Sequence, residues 1–267
     1  MALYRVEGIV VRNRDNGEAD RLITVFTREE GKLAAIAKGC RRPGSRLAAA
    51  VQPFACSRLQ LWRGKHLDVV TQGQLRESFP HLRANLPALA SASLAAELVD
   101  AFTQERDPAP ALYALLRGTL ATLDEVAVTS PGQPAEAVVY AFTLGLLALA
   151  GYAPSLDRCV YCGQKADPSV VIFDAEAGGM VCGRCGPPEE LRGWRVVRLT
   201  PVARQVLSHL AGLSPQTAAR LQVSPTIMAE VRLAVLHCLE VRLERRPRAW
   251  DFWTEQCPHT EDRLSRD

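Results

Sequence analysis

The hydrophobic and polar positions change their period near residue 80. Before it, short apolar runs alternate with polar turns. Leu3–Arg12 is rich in Val and Ile and ends in a turn holding Asn16-Gly17. Arg21–Thr27 is a second strand, closed by Glu29-Glu30-Gly31, and Lys32–Lys38 a third. Val51–Trp62, turning at Arg63-Gly64, and His66–Leu75 complete a set of five. Strands this short and this regularly punctuated predict a small barrel or sandwich. The OB-type five-stranded barrel fits the number and commonly binds oligonucleotides.

From Pro80 the spacing becomes helical. Leu86, Leu89, Leu94, Leu98 and Phe102 share one face, and Leu112, Leu116, Leu120 and Leu123 another. Residues 135–150 form a third, almost wholly apolar helix. Thr200-Pro201, Ser214-Pro215 and Ser224-Pro225 each set a capping hydroxyl before a proline, the signature of a helix start. The last helix is expected from Thr226 to about Arg245, stopping before Pro247, and the charged end, Glu261 to Asp267, is expected to fray.

Between the third helix and those starts lie Cys159-Val-Tyr-Cys162 and Cys182-Gly-Arg-Cys185, with 19 residues between the pairs. Two such pairs suit one tetrahedral zinc ion bound by Cys159, Cys162, Cys182 and Cys185. Four free thiols or a redox dithiol would give the same letters, but two matched pairs exceed what one redox motif needs. A hairpin is expected to cross Val170–Phe173, turn at Gly178-Gly179 and return to Cys182. Four thiolates fill the metal, so the site braces structure and leaves no open position for catalysis. Cys40, Cys56, Cys238 and Cys257 stand singly and read as packed or surface thiols, and Cys257-Pro-His259 lacks a second ligand pair. The fold class is therefore α+β multidomain: a barrel over 1–80, then a helical domain over 81–267 interrupted by a zinc module at 157–190.

Charge sharpens this picture. The whole chain carries a net charge of +3, but residues 1–80 hold 14 Lys/Arg against 8 Asp/Glu. Arg28 to Lys65 contains nine cations, Arg28, Lys32, Lys38, Arg41, Arg42, Arg46, Arg58, Arg63 and Lys65, against Glu29 and Glu30. The densest part, Lys38 to Arg46, is a Gly/Pro loop between the third and fourth strands. Such a loop can track a phosphate backbone. A solvated arginine-biased loop is the plainer reading. In the fourth strand Leu59 and Leu61 alternate with Arg58, Gln60 and Trp62, which puts a cation and an aromatic on one face. That face suits base stacking, or Trp62 packs on the helical domain.

Several chemistries drop out. Gly39 to Gly44 has P-loop glycine spacing, but Ser45 stands where the lysine must be, so no nucleotide site is expected. No His-Glu-x-x-His or Gly-x-Ser-x-Gly occurs, and the protein is expected not to be an enzyme. Asp15, Glu18 and Asp20 share a turn beside Arg14 and Arg21 and read as solvated rather than cation-binding. The N-terminus lacks a signal-peptide pattern, and the apolar run from Ala137 to Gly151 is short for a membrane span, so a cytoplasmic, nucleoid-associated protein without a membrane partner is expected.

The chain also resembles the RecO family of bacterial recombination mediators. The resemblance lies in ordered blocks: Glu7 to Arg12, Gly17 to Leu22, Gly31-Lys32-Leu33, Lys38-Gly39 with Arg41-Arg42, Gln52-Pro53-Phe54, Gly151 to Pro154, the cysteine pairs and Arg246-Pro247. It implies an N-terminal OB domain, a helical domain and a zinc module, a function in DNA repair and recombination, binding of single- and double-stranded DNA, and annealing of complementary strands. It further implies work with RecR and single-stranded-DNA-binding protein to load RecA. A rival reading is a zinc-containing scaffold whose basic barrel docks an acidic protein, with DNA binding incidental. A zinc hydrolase, the third reading, is disfavoured by a saturated four-thiolate site.

Overall fold

The computed structural model describes residues 2–130, 135–165, 172–186 and 195–256. Its contacts divide the chain into two compact units, Met1–Gly132 and Gln133–Asp267.

The first unit opens with five strands: β1 (Leu3–Asn16), β2 (Asp20–Thr27), β3 (Gly31–Ala37), β4 (Cys56–Trp62) and β5 (Asp68–Glu77). They form a closed barrel in the order β1-β2-β3-β5-β4. Period-two patterning drives it. Leu33, Ala35 and Ala37 of β3, Ile23 and Val25 of β2, and Leu59 and Leu61 of β4 all point inward and are buried. Each buried Val, Leu or Ile contributes about 1.5–3 kcal/mol. Antiparallel ladders join the neighbours, except that β3 meets β5 in parallel through only two residue pairs, Ala35↔Asp68 and Ile36↔Val69.

The expected fourth strand starts late. Residues 39–54 are a run of turns, and β4 begins at Cys56. This segment is packed rather than loose: Cys40, Ala50 and Val51 enter the barrel core and Leu47 packs against it. Gly73 on β5 permits the approach, since a Cβ there would stand 2.8 Å from the Cβ of Ala50.

The change to helix falls where the period changes, but the compact unit runs on through α1 (Pro80–Ala84), α2 (Leu86–Phe102) and α3 (Pro110–Thr129). Asn85 caps α2 by accepting from the Ala88 N–H at 3.1 Å. The alanine-rich buried face of α2 packs against β1 and α3. The link after α2 then docks on the start of β3, where the Arg106 N–H donates to the Lys32 carbonyl at 2.9 Å. Gly31, with φ of 67°, makes room, because a Cβ would lie 2.2 Å from the Asp107 carbonyl oxygen.

The second unit holds α4 (Glu136–Leu149), the strands β6 (Ile172–Asp174), β7 (Gly179–Val181) and β8 (Val196–Arg198), then α5 (Pro201–Leu210), α6 (Pro215–Ala218), α7 (Pro225–Leu243) and α8 (Arg248–Gln256). α4 is the buried centre against which α5, α6 and α7 pack. Of the three expected caps, Thr200 accepts from the Ala203 N–H and Ser214 from the Thr217 N–H, whereas Ser224 makes no side-chain cap bond. Nor is α7 the last helix. It ends at Leu243 on Glu244, whose φ of 56° is left-handed, and α8 follows and buries Trp250 and Trp253. The hairpin turns over residues 175–178, so Gly178 ends the turn as expected but Gly179 already pairs with Asp174 in β7, and β8 adds a third strand, order β7-β6-β8. Val170, Cys257-Pro-His259 and Glu261–Asp267 lie outside the described residues. Among the described residues, no helix is long and apolar enough to cross a membrane.

One ion pair sits inside this unit. Arg232 of α7 pairs with Glu136 of α4, whose side chain is 5% exposed, and its Nε donates to the Tyr140 hydroxyl at 3.2 Å. Tyr140 meets Trp253 edge-on at 5.6 Å, joining α4, α7 and α8. Breaking a buried pair strands a charge. Arg232→Ala should therefore lower stability by about 3–5 kcal/mol in chemical denaturation followed by tryptophan fluorescence; an unchanged midpoint would show that the pair is dispensable.

Candidate functional site

The expected DNA-contact residues fall into three groups. Lys38, Arg41, Arg42 and Arg46 share the turn-built segment between β3 and β4 and are all exposed. Its backbone is tied to the β1–β2 turn: the Arg41 N–H donates to the Ala19 carbonyl at 2.9 Å, and the Gly39 N–H to Asp20 Oδ1 at 2.8 Å. Gly39 and Gly44 take φ of 65° and 76°, conformations that make the segment curl back on itself. Arg41 spends its guanidinium on Asp15 at 3.2 Å and the Gly17 carbonyl at 3.1 Å. Asp15 also receives Arg21. The acidic turn is thus occupied by arginines and by the Gly39 amide.

Arg58 and Trp62 form the second group, on the outer face of β4. Leu59 and Leu61 point in, as the alternation predicted, and Trp62 is 44% exposed beside Leu3.

Arg63 and Lys65 are the third group, in the β4–β5 loop. Arg63 pairs with Glu30 at 2.7 Å and stacks over the Tyr4 ring at 4.8 Å, while Lys65 is exposed. Asp68 organises this end. Its side chain is 2% exposed, yet it receives the Gly64 N–H at 3.0 Å, Arg106 Nη2 at 2.6 Å, and the Tyr4 hydroxyl. Burial pushes its carboxyl up, but the Tyr4, Gly64 and Arg106 donors outweigh burial and hold it below the usual carboxylate range. Tyr4 is correspondingly pushed up to about 12 by burial and by Asp68.

Lys32, the remaining expected residue, lies apart from the three groups. Its side chain is 14% exposed, with Nζ on Asp100 Oδ1 at 3.1 Å and on the Asp100 carbonyl. It fastens α2 to β3. Arg5, in turn, was missed; it shares the outer face of the barrel with Arg58 and Gln60. The signal was present in the alternation of β1, where Leu3, Arg5 and Glu7 share one parity.

In the second unit, the sulfurs of Cys159, Cys162, Cys182 and Cys185 all lie within 4.8 Å of one another. Two matching knuckles create the cluster. The Gly163 N–H donates to the Cys159 carbonyl at 2.9 Å, and the Gly186 N–H to the Cys182 carbonyl at 3.0 Å. Each knuckle closes on a glycine with positive φ, 69° and 56°. The Cys182 N–H reaches Cys159 Sγ at 3.3 Å, and Tyr161 anchors the first knuckle to Asp174 at 3.1 Å. Burial pushes the Cys159 thiol up, but the amides of Cys182, Cys162 and Tyr161 bring it down to about 6. Bonds to Cys182 and Cys162 push Cys185 up to about 12, because neighbouring sulfurs oppose each other's ionisation. A divalent cation resolves that conflict. Tetrahedral thiolate bonds of about 2.3 Å separate sulfurs by roughly 3.8 Å, and Cys162 Sγ and Cys182 Sγ are 3.7 Å apart. The four residues suit a metal ion.

Comparison with known proteins matches two family models to the chain. The family model described as Recombination protein O N terminal matches residues 1–79, and that described as Recombination protein O C terminal matches residues 83–251. The DNA repair protein RecO of Symbiobacterium thermophilum is 38% identical over 254 residues, 94% of this chain and 97% of the relative. Those of Pelotomaculum thermopropionicum and Heliobacterium modesticaldum are 37% and 36% identical, each over 94% of this chain and over 94% and 89% of the relative.

The Asp68 cluster generates a pH prediction. A carboxyl held below its unfolded pKa of about 3.9 stabilises the fold above that pH and loses the contribution as pH falls through the lower, folded value. Asp68→Asn should cost about 2 kcal/mol at neutral pH. It should also flatten the acid limb of the stability curve below about pH 4. A variant as stable as the parent at pH 7, with the same acid limb, would remove Asp68 from its organising role.

Proposed function

This chain belongs to the RecO family of DNA repair proteins, and on that footing we propose that it is a recombination mediator that works by binding rather than by catalysis. The barrel, residues 1–80, binds single- and double-stranded DNA. Its basic segment neutralises phosphates and so lowers the repulsion between complementary strands, which favours annealing. With RecR, and in contact with single-stranded-DNA-binding protein, it helps place RecA on covered strands. The protein works in the cytoplasm, at the nucleoid.

The observation that carries this reading is the fixed, outward display of Lys38, Arg42 and Arg46 on a segment anchored in the barrel core. Arg41 supports the segment through Asp15 and adds charge at its edge. Arg58, Trp62, Arg63 and Lys65 extend the contact along β4 and the following loop, and the exposed Trp62 ring offers a stacking surface. Lys32 is left out, being spent on Asp100.

Zinc is the metal that best suits four thiolates at these separations. Cys159, Cys162, Cys182 and Cys185 would hold it, and its binding energy would stabilise the hairpin of β6 and β7. Within residues 157–190 the cysteines do structural work and leave DNA to the barrel.

Charge reversal tests the DNA reading. With Lys38, Arg42 and Arg46 changed to Glu, binding of single-stranded DNA should weaken at moderate salt. The slope of log affinity against log salt should become shallower by roughly 2, about 0.7 per lost phosphate contact. A weak slope in the parent, or an unchanged slope in the variant, would favour the scaffold reading, in which the same cations dock an acidic protein. For the metal, Cys182→Ser should lower zinc content and thermal stability together, while DNA affinity of the folded fraction stays at the parental value. Loss of DNA affinity without loss of folding would make the knuckle a contact surface.

A further inference from the structure

The outer face of the barrel carries a second constellation, distinct from the basic segment. Register sets Arg5 of β1 opposite Gln60 of β4, and Gln60 opposite Gln72 of β5; two residues along, Arg58 stands opposite Gln74. These five side chains line a recess of about 290 Å³. One more step along the strands, Leu3 and Trp62 are paired and exposed.

We propose that this recess takes an unpaired base of single-stranded nucleic acid, held by its edge, with the adjoining base stacked on Trp62. The inference deepens the DNA-binding reading above and rests on it. Chemistry favours a base over a phosphate. A phosphate only accepts hydrogen bonds, so a site that tracks backbone needs donors alone. Three glutamines bring acceptors as well as donors, and base edges present both. The guanidinium groups add paired donors that match the acceptor pair of a guanine edge.

The recess is also organised in advance. Arg5 Nε donates to Gln60 Oε1 at 3.1 Å, which leaves the Gln60 amide nitrogen available as a donor. Arg58 makes no ion pair among the described residues. Glu7, opposite it on β1, instead accepts a long bond of 3.4 Å from the Tyr113 hydroxyl. Arg58 thus faces the recess with its donors unspent. Size points the same way. The volume is at the small end of ligand sites, room for one base and not for a duplex, and a whole base can enter a recess only where it is unstacked and unpaired. The basic segment would then supply salt-dependent affinity for any strand, and this face would distinguish exposed bases from paired ones.

The test uses the full chain and labelled oligonucleotides of equal length in anisotropy titrations. One carries ordinary bases throughout, and the other a central run of abasic sites. The parent should bind the first about tenfold more tightly. Gln60→Ala/Gln72→Ala/Gln74→Ala should erase that difference while leaving abasic affinity and the salt slope as in the parent, which also shows that the variant is folded. Single Gln72→Ala should move the ratio in the same direction by less. A triple variant that keeps the preference, or a parent that binds both oligonucleotides equally with a normal salt slope, would overturn the recess and leave DNA binding by the basic segment intact. A parent that binds neither would overturn both.

Discussion

The barrel closes through one narrow junction. β3 and β5 meet in parallel over two residue pairs, and one of the four residues is the buried Asp68. A carboxylate removed from water must be surrounded by donors, and here the donors come from three separate places. Tyr4 belongs to β1, Gly64 to the loop before β5, and Arg106 to the link after α2. One desolvated charge therefore joins the ends of the barrel to the first helices. Arg106 adopts φ of 58° to reach it, a conformation most side chains avoid. Gly31 makes the same approach possible by lacking a Cβ. With the junction held, the loops at both ends of β4 have defined places, and the cations they carry point outward.

The two metal knuckles and the barrel solve different problems. The barrel closes around an apolar core set by period-two patterning. The hairpin of β6 and β7 is only three residues per strand, far too short to be stable as an isolated pair. Packing of Phe173, Met180 and Val181 and the added strand β8 support it, and a metal ion on the four sulfurs would add to that support. Four thiolates would fill a tetrahedral ion, so on the proposed reading the cluster is a brace and not an open coordination site.

Much of this was legible in the residues. The five strands, the helical period after Pro80 and the cysteine pairs are local signals, and local signals survive folding. Leu59 and Leu61 alternating with Arg58 and Trp62 told which side of β4 faces out. What failed was non-local. Lys32 looked like any other cation of the basic run, and only the packing of α2 brings Asp100 to it. Arg5 lay outside the run, and only the β1–β4 register sets it beside Gln60. Val51 was read as strand because it is apolar, but it enters the core from a turn. α8 was missed because Pro247 ended the expected pattern, whereas Trp250 and Trp253, three apart, form a face that a nine-residue helix can bury.

The central claim is that the barrel is where DNA is held. Photo-cross-linking of the full chain to single-stranded DNA, with the attached peptides mapped by mass spectrometry, tests it most directly. If the barrel holds the strand, adducts concentrate in residues 38–46 and 58–65. Adducts confined to residues beyond 133, with the barrel peptides unmodified, would contradict it.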